Sequence, residues 1–287
     1  MGGVLLAADP VRELGSPSPR LVFSDLPNRR TLSVDGATAF ELNWWCGTCP
    51  YLFERQPGAR TAPSVDGLRD RLDSGLDRVN DDVVTAYGSL LPEGGYLPML
   101  LEAIPRRVAP GGVGDFFTAE NRVTWGQPEA GASPGTEYYR TFETRIDDDA
   151  HLYGFVVPMV PPSWNEPATV DEHAERLAKG AAPTAVALTT LDVIDPVWAE
   201  AGSDLHTQWC LTHFLLDGHH KIAAAARLGR PMRLLALLSL DNSLADEDQV
   251  ARLHELLGRP PAGRVPQPWF PPPPPPVPGW RRWFRPR

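Results

Sequence analysis

Apolar positions along this chain change rhythm twice. From Thr136 to Gly258 they arrive in dense runs of strand length, with turn residues between them. This pattern predicts strands over 137–145, 152–160, 184–193, 207–216 and 232–240, and helices over 169–179, 218–228 and 245–257. Arg233-Leu234-Leu235-Ala236-Leu237-Leu238 is apolar on both strand faces after its first residue, as in a sheet covered on both sides. Residues 1–135 are instead punctuated by Pro and Gly. Strand-like pieces stand at 20–23 and 39–44, and Val65, Leu68, Leu72, Leu76 and Val79 recur at helical spacing. A Gly/Pro-rich stretch over 126–135 has the composition of a linker or long loop. No internal repeat is visible. The fold class expected is mixed α/β (α+β), with an N-terminal region over 1–135, an α/β domain over 136–258 and a tail over 259–287.

The tail carries a hexaproline at 271–276 and has too few core residues to pack, so it is expected to be extended or disordered. It also changes the charge picture. The net charge of −9 comes from 27 basic and 36 acidic residues, and six of the arginines lie beyond Gly258 with no acid among them. The rest of the chain keeps 21 basic residues against 36 acids, a net charge of −15. A body that acidic lacks the clustered cations that phosphate backbones need, so no sequence-specific nucleic-acid partner is expected. At 287 residues, 42% hydrophobic and 22% charged, the composition is that of a globular protein of one large or two ordinary domains. The first residues lack the basic region and apolar core of a signal peptide, and no apolar run is long enough to span a bilayer. Three cysteines do not make a disulfide framework, so a cytoplasmic setting is expected.

The strongest chemical signal is Phe214-Leu215-Leu216-Asp217-Gly218-His219-His220-Lys221, continued by Ile222-Ala223-Ala224-Ala225-Ala226-Arg227-Leu228-Gly229. It reads as a buried strand, a tight turn and a helix start. The first turn of a helix leaves backbone N–H groups unpaired at the positive end of the dipole, which favours an anion. Asp217 can cap that helix, Gly218 lets the chain turn sharply, and Ala223 to Ala226 give a thin wall for close packing on a sheet. His219, His220 and Lys221 would add donors and charge. Lys179 and Lys221 are the chain's two lysines beside 25 arginines, so a lysine at this turn suggests that a compact charge is wanted there. The plainer alternative is a capped helix start whose histidines bond neighbouring loops.

This segment, with the Gly and apolar strand that follow, resembles the signature of the ParB/sulfiredoxin-like superfamily over about residues 182–240. The resemblance implies a ParB/sulfiredoxin-like domain that holds nucleotide phosphates at this turn, with ATP, ADP or CTP and Mg²⁺ as cofactors. By position, Gly218, His219, His220 and Lys221 would contact phosphate, and Asp217 would support them or face a metal. An enzyme of this kind would be an NTP hydrolase or phosphotransferase, with His219, His220 and Lys221 stabilising developing charge and Asp217 the nearest carboxylate. Lys221 stands where the family usually has Arg. The turn has no Cys, which argues against sulfiredoxin chemistry, and no helix-turn-helix signal follows, which argues against DNA partitioning.

Other candidates open other readings. Trp45-Cys46-Gly47-Thr48-Cys49 after a strand is locally similar to a thioredoxin-type redox motif, although Pro50 is unusual there. Cys46, Cys49, Cys210 and His213 together have zinc-like spacing, but a strand through Cys210 and His213 would point them to opposite faces. Asp147-Asp148-Asp149 reads as a solvated turn. Glu137, Arg140, Glu143 and Arg145 alternate as the wet face of an antiparallel strand, and His173 reads as surface. The Pro/Trp/Arg tail could engage a protein partner or an anionic membrane surface. A non-catalytic interaction or regulatory protein, and a thiol redox protein using Cys46 and Cys49, therefore stand beside the nucleotide reading.

Overall fold

The computed structural model describes residues 3–26, 29–42, 51–63, 65–118, 137–147, 149–195 and 206–258. The Cys46/Cys49 motif, the 126–135 stretch and the tail from Arg259 lie outside these residues.

The fold is mixed α+β. Strands are β1 (Val4–Ala8), β2 (Arg12–Leu14), β3 (Leu21–Leu26), β4 (Arg29–Val34), β5 (Ala37–Leu42), β6 (Phe53–Arg55), β7 (Gly94–Ala103), β8 (Arg106–Val108), β9 (Tyr138–Asp147), β10 (Ala150–Pro158), β11 (Thr184–Ile194), β12 (Thr207–Asp217) and β13 (Met232–Ser239). Helices are α1 (Arg69–Ser74), α2 (Asp81–Gly88), α3 (Pro167–Ala178), α4 (His219–Leu228) and α5 (Glu247–Leu256). A nine-stranded sheet runs β1-β7-β13-β11-β12-β10-β9-β8, with β2 paired to β7, and a four-stranded antiparallel sheet runs β3-β4-β5-β6. In the large sheet β10 and β12 are parallel, as are β11 and β13, and the remaining pairs are antiparallel.

Both faces of the large sheet are covered, which is why its central strands read as continuous apolar runs. All eleven residues of β11 are buried. One face packs under α3, α4 and α5 through Val170, Leu177, Ile222, Ala225, Leu253 and Leu256. The other packs under the small sheet, α1 and α2 through Leu32, Phe40, Phe53, Leu72, Val83 and Val84. The result is a three-layer arrangement around one sheet. β1, β2, β7 and β8, all within residues 1–135, share that sheet with the strands of 136–258. The helical spacing over 65–79 yields only the six-residue α1, which ends at Gly75 (φ +90°) against Ala182 O.

One buried ion pair joins the layers. Arg30 on β4 bonds Asp192 on β11, and both side chains are almost fully buried. Arg30 also donates to Asn242 O at 3.0 Å, while Asp192 accepts Leu244 N–H at 3.2 Å. Such a pair contributes little net stability against an apolar replacement, but its geometry can fix the seat of the small sheet on the large one. Among the described residues, no helix is long and apolar enough to cross a membrane.

Candidate functional site

β12 ends at Asp217, Gly218 turns the chain, and α4 starts at His219. Gly218 has φ +94°, ψ 23°, a left-handed conformation that a side chain disfavours. A Cβ there would lie 2.6 Å from Ala185 Cβ and 3.0 Å from Ala185 Cα, so the start of α4 is pressed onto β11. Ala224 and Ala225 continue the same close packing, both fully buried. The first bond of the helix runs from Ile222 N to Gly218 O at 2.9 Å. The N–H groups of His219, His220 and Lys221 make no hydrogen bond to described residues. They are the orphan donors that any helix start presents.

The side chains of the turn are arranged differently from the sequence expectation. Asp217 does not cap the helix; the N-cap position is Gly218, with no side-chain cap. Asp217 instead accepts from Lys221 Nζ at 3.1 Å. Lys221 is not a free phosphate contact: its ammonium also bonds Asp73 Oδ1 at 2.9 Å and Thr184 O at 3.2 Å, and it is buried. A compact ammonium with three donors suits three oxygens converging from α1, β11 and β12, which gives Lys rather than Arg a structural reason here. Asp73 is bonded in turn by Arg176 of α3 at 3.0 Å. Burial works to raise the Asp73 pKa, but Lys221 and Arg176 together hold it below the ordinary carboxylate value.

The imidazoles are acceptors through one nitrogen. Met159 N–H donates to His219 Nε2 at 3.1 Å, and Glu166 N–H donates to His220 Nε2 at 3.2 Å. Each neutral ring then carries its proton on Nδ1. Burial, with smaller contributions from His220 and Arg55, lowers the His219 pKa to about 3, so it stands uncharged at neutral pH. Arg55 of β6 holds the end of β10 by donating to Met159 O and Ala59 O at 3.0 Å and to Pro158 O. Burial brings its pKa down to about 10, and it remains a cation beside the turn.

The segment leading from β10 into α3 completes the surroundings. Pro162–Trp164 forms a 3₁₀ turn, Asn165 Nδ2 donates to His219 O at 3.3 Å, and Trp164, one residue earlier, is 55% exposed. An exposed indole beside a helix start offers an apolar face to a planar group. His173 of α3, expected at the surface, is buried, and its Nδ1 has no hydrogen-bond partner. Burial first, then the balance of Asp73 against Lys221 and Arg176, lowers its pKa.

Of the zinc set, the two described members do not share a face of the sheet. β12 is regular through Cys210 and His213, so Cys210 joins the core beneath the small sheet and His213 points to the helix-covered face. His213 Nδ1 is 2.9 Å from Thr189 Oγ1, and burial lowers its pKa to about 3. Cys46 and Cys49 lie outside the described residues. Among the described residues, no group of three or more His, Cys, Asp or Glu is placed to hold a metal ion. Glu143 and Arg140 are also drier than a solvated strand face implies: Arg140 donates to Gly114 O at 3.1 Å and to Glu143 at 3.2 Å.

Sequence reasoning missed Arg55, Asp73, Trp164 and Asn165. Arg55 and Asp73 reach the turn from far along the chain and carry no local signal. Trp164-Asn165 after a strand and two prolines was the one visible cue. Compared with known protein families, characterised proteins and solved structures, the chain matches none.

Proposed function

We propose that the first turn of α4 binds the phosphates of a nucleotide, or of a closely similar phosphorylated small molecule. The observation that carries this reading is the set of unpaired N–H groups of His219, His220 and Lys221 behind a left-handed Gly218. The ten-residue helix behind them lends its dipole to an anion. The DGHHK resemblance to the ParB/sulfiredoxin-like superfamily supports the same assignment. Gly218 lets α4 begin pressed against Ala185, His220 adds a ring N–H, and Arg55 adds positive field. Trp164, an exposed indole one residue before the Asn165 that bonds His219 O, is the side chain on which we would stack a base, and a nucleotide is therefore preferred to a bare phosphate.

Lys221 serves this site indirectly. Pinned by Asp73 and Asp217, it fixes the turn rather than touching phosphate. A magnesium ion would arrive on the phosphates, with Asp217 the nearest carboxylate on this turn and already engaged by Lys221. The reading is therefore binding first; phosphoryl transfer or NTP hydrolysis would be an added property of the bound state.

The test is a thermal-shift panel of ATP, ADP, CTP, GTP and inorganic phosphate, with and without Mg²⁺. A ligand at a hundred times its Kd adds about 2.7 kcal/mol. Stabilisation by one nucleotide is expected, weakened in His220→Ala. Trp164→Ala should weaken the nucleotide's effect and leave that of phosphate unchanged. No shift with any member of the panel would remove the proposal.

A further inference from the structure

Both ends of the segment between β10 and α3 are held by the paired histidines at the start of α4. The segment, Met159 to Glu166, runs between Pro158 and Pro167. Its first N–H, on Met159, donates to His219 Nε2 at 3.1 Å, and its last, on Glu166, donates to His220 Nε2 at 3.2 Å. Asn165 Nδ2 adds a third bond, to His219 O at 3.3 Å. Inside the segment, Trp164 N–H donates to Pro161 O at 2.9 Å and Asn165 N–H to Pro162 O at 3.2 Å. Trp164 thus stands on a short, internally bonded loop fastened to α4 at both ends, and it is still more than half exposed.

The donors fix what the rings do. A backbone N–H only donates, so both Nε2 atoms are acceptors and each neutral ring has one N–H left over. A lysine or arginine at either position has no acceptor and would leave the loop unheld. Their succession matters as well. Neighbouring residues on a helix point about 100° apart, which lets one ring meet the end of β10 and the other the start of α3. Glu166 is the N-cap residue of α3, so its bond to His220 ties the starts of α3 and α4 together.

We propose that His220 is a positioning residue for the base of the nucleotide, a role that rests on the phosphate-binding reading of this turn. Through the Glu166 N–H it keeps the Trp164 loop fixed beside the start of α4, and so sets the preference for a nucleotide over inorganic phosphate. A base that stacks on an indole already held in place avoids the ordering cost that a free loop would impose. Phosphate makes no use of the indole and gains nothing from the bond.

The experiment compares, on the full chain, the Kd of inorganic phosphate with that of whichever of ATP, ADP, CTP and GTP stabilises it most. Glu166→Pro removes the donor yet suits the backbone, since Glu166 has φ −68° and Asn165 before it has ψ 131°. This variant should lower the nucleotide-to-phosphate affinity ratio about fivefold, the worth of one ordinary hydrogen bond. Glu166→Ala loses the same carboxylate but keeps the N–H, and should keep the ratio. His220→Ala should lower the ratio as Glu166→Pro does, and His220→Gln, whose amide oxygen reaches as far as Nε2, should restore it. Should Glu166→Pro fold poorly, the two histidine variants carry the test. In a Trp164→Ala background Glu166→Pro should change nothing further, because His220 acts through the indole. A ratio left at its wild-type value in a folded Glu166→Pro or His220→Ala variant, or lowered equally with and without the indole, would overturn the proposal. Failure of the wild type to bind either phosphate or nucleotide would remove the reading of the turn, and this role with it.

Discussion

Gly218 is the residue on which the candidate site turns. Its φ of +94° excludes most side chains, and a Cβ would strike Ala185. Gly218→Ala should therefore destabilise by about 2 kcal/mol or more, combining the left-handed backbone cost with a clash against a buried strand. Urea unfolding reads this directly; a neutral result would show that the turn can relax and is not rigidly set. The residue scale also explains why the chemistry of the motif was only half legible. Asp217, Gly218 and His219 announce a strand-turn-helix in the sequence. Nothing in it says that Lys221 will meet Asp73, 148 positions earlier, and so withdraw from the ligand. A lysine in a first turn looks free until a distant carboxylate is placed beside it.

At the scale of elements, α1, α3 and α4 are locked by charges at one end of the sheet. Lys221 bonds Asp73 and Asp217, and Arg176 bonds Asp73. Removing one partner of a buried pair leaves the other uncompensated, so Lys221→Ala should cost about 3 kcal/mol, near the lower end for such sites because Asp217 keeps some water. The check is urea unfolding beside Lys179→Ala, whose exposed contact with Glu175 at 3.8 Å should change stability by no more than about 0.5 kcal/mol. Equal effects in the two variants would contradict the structural role given to Lys221. The strands and helices from β9 to α5 were legible because their apolar runs match the period of each element. The strand predicted over 184–193 spans Thr184–Ile194, and the helix over 218–228 spans His219–Leu228. β7, the ten-residue strand that brings the N-terminal region into the large sheet, was not anticipated. Its Gly94-Gly95 and Pro98 resemble loop composition, and its place is set by pairing with β1, β2 and β13 rather than by its own pattern.

At the scale of the whole molecule, His213 and His219 set a pH response. His213 and His219 both have pKa values near 3 in the folded chain, through burial above all, against about 6.5 when unfolded. A depressed folded value means that stability is whole above pH 6.5 and is lost as pH falls towards 3, because the unfolded chain binds the protons first. Chemical denaturation across pH 7 to 4 should show that loss, and His219→Gln should flatten it by about one proton's worth of slope. An unchanged slope would mean that His219 is protonated in place.

The central claim, that the start of α4 holds phosphate, is tested most directly at the three backbone N–H groups themselves. Amide NMR spectra of the full chain would be followed while inorganic phosphate, and then ATP with Mg²⁺, is added. The account predicts that the amides of His219, His220 and Lys221 shift together and saturate with one Kd, and that ATP also perturbs the Trp164 indole N–H. Saturable shifts elsewhere with these three amides unmoved, or no shift at all, would contradict it.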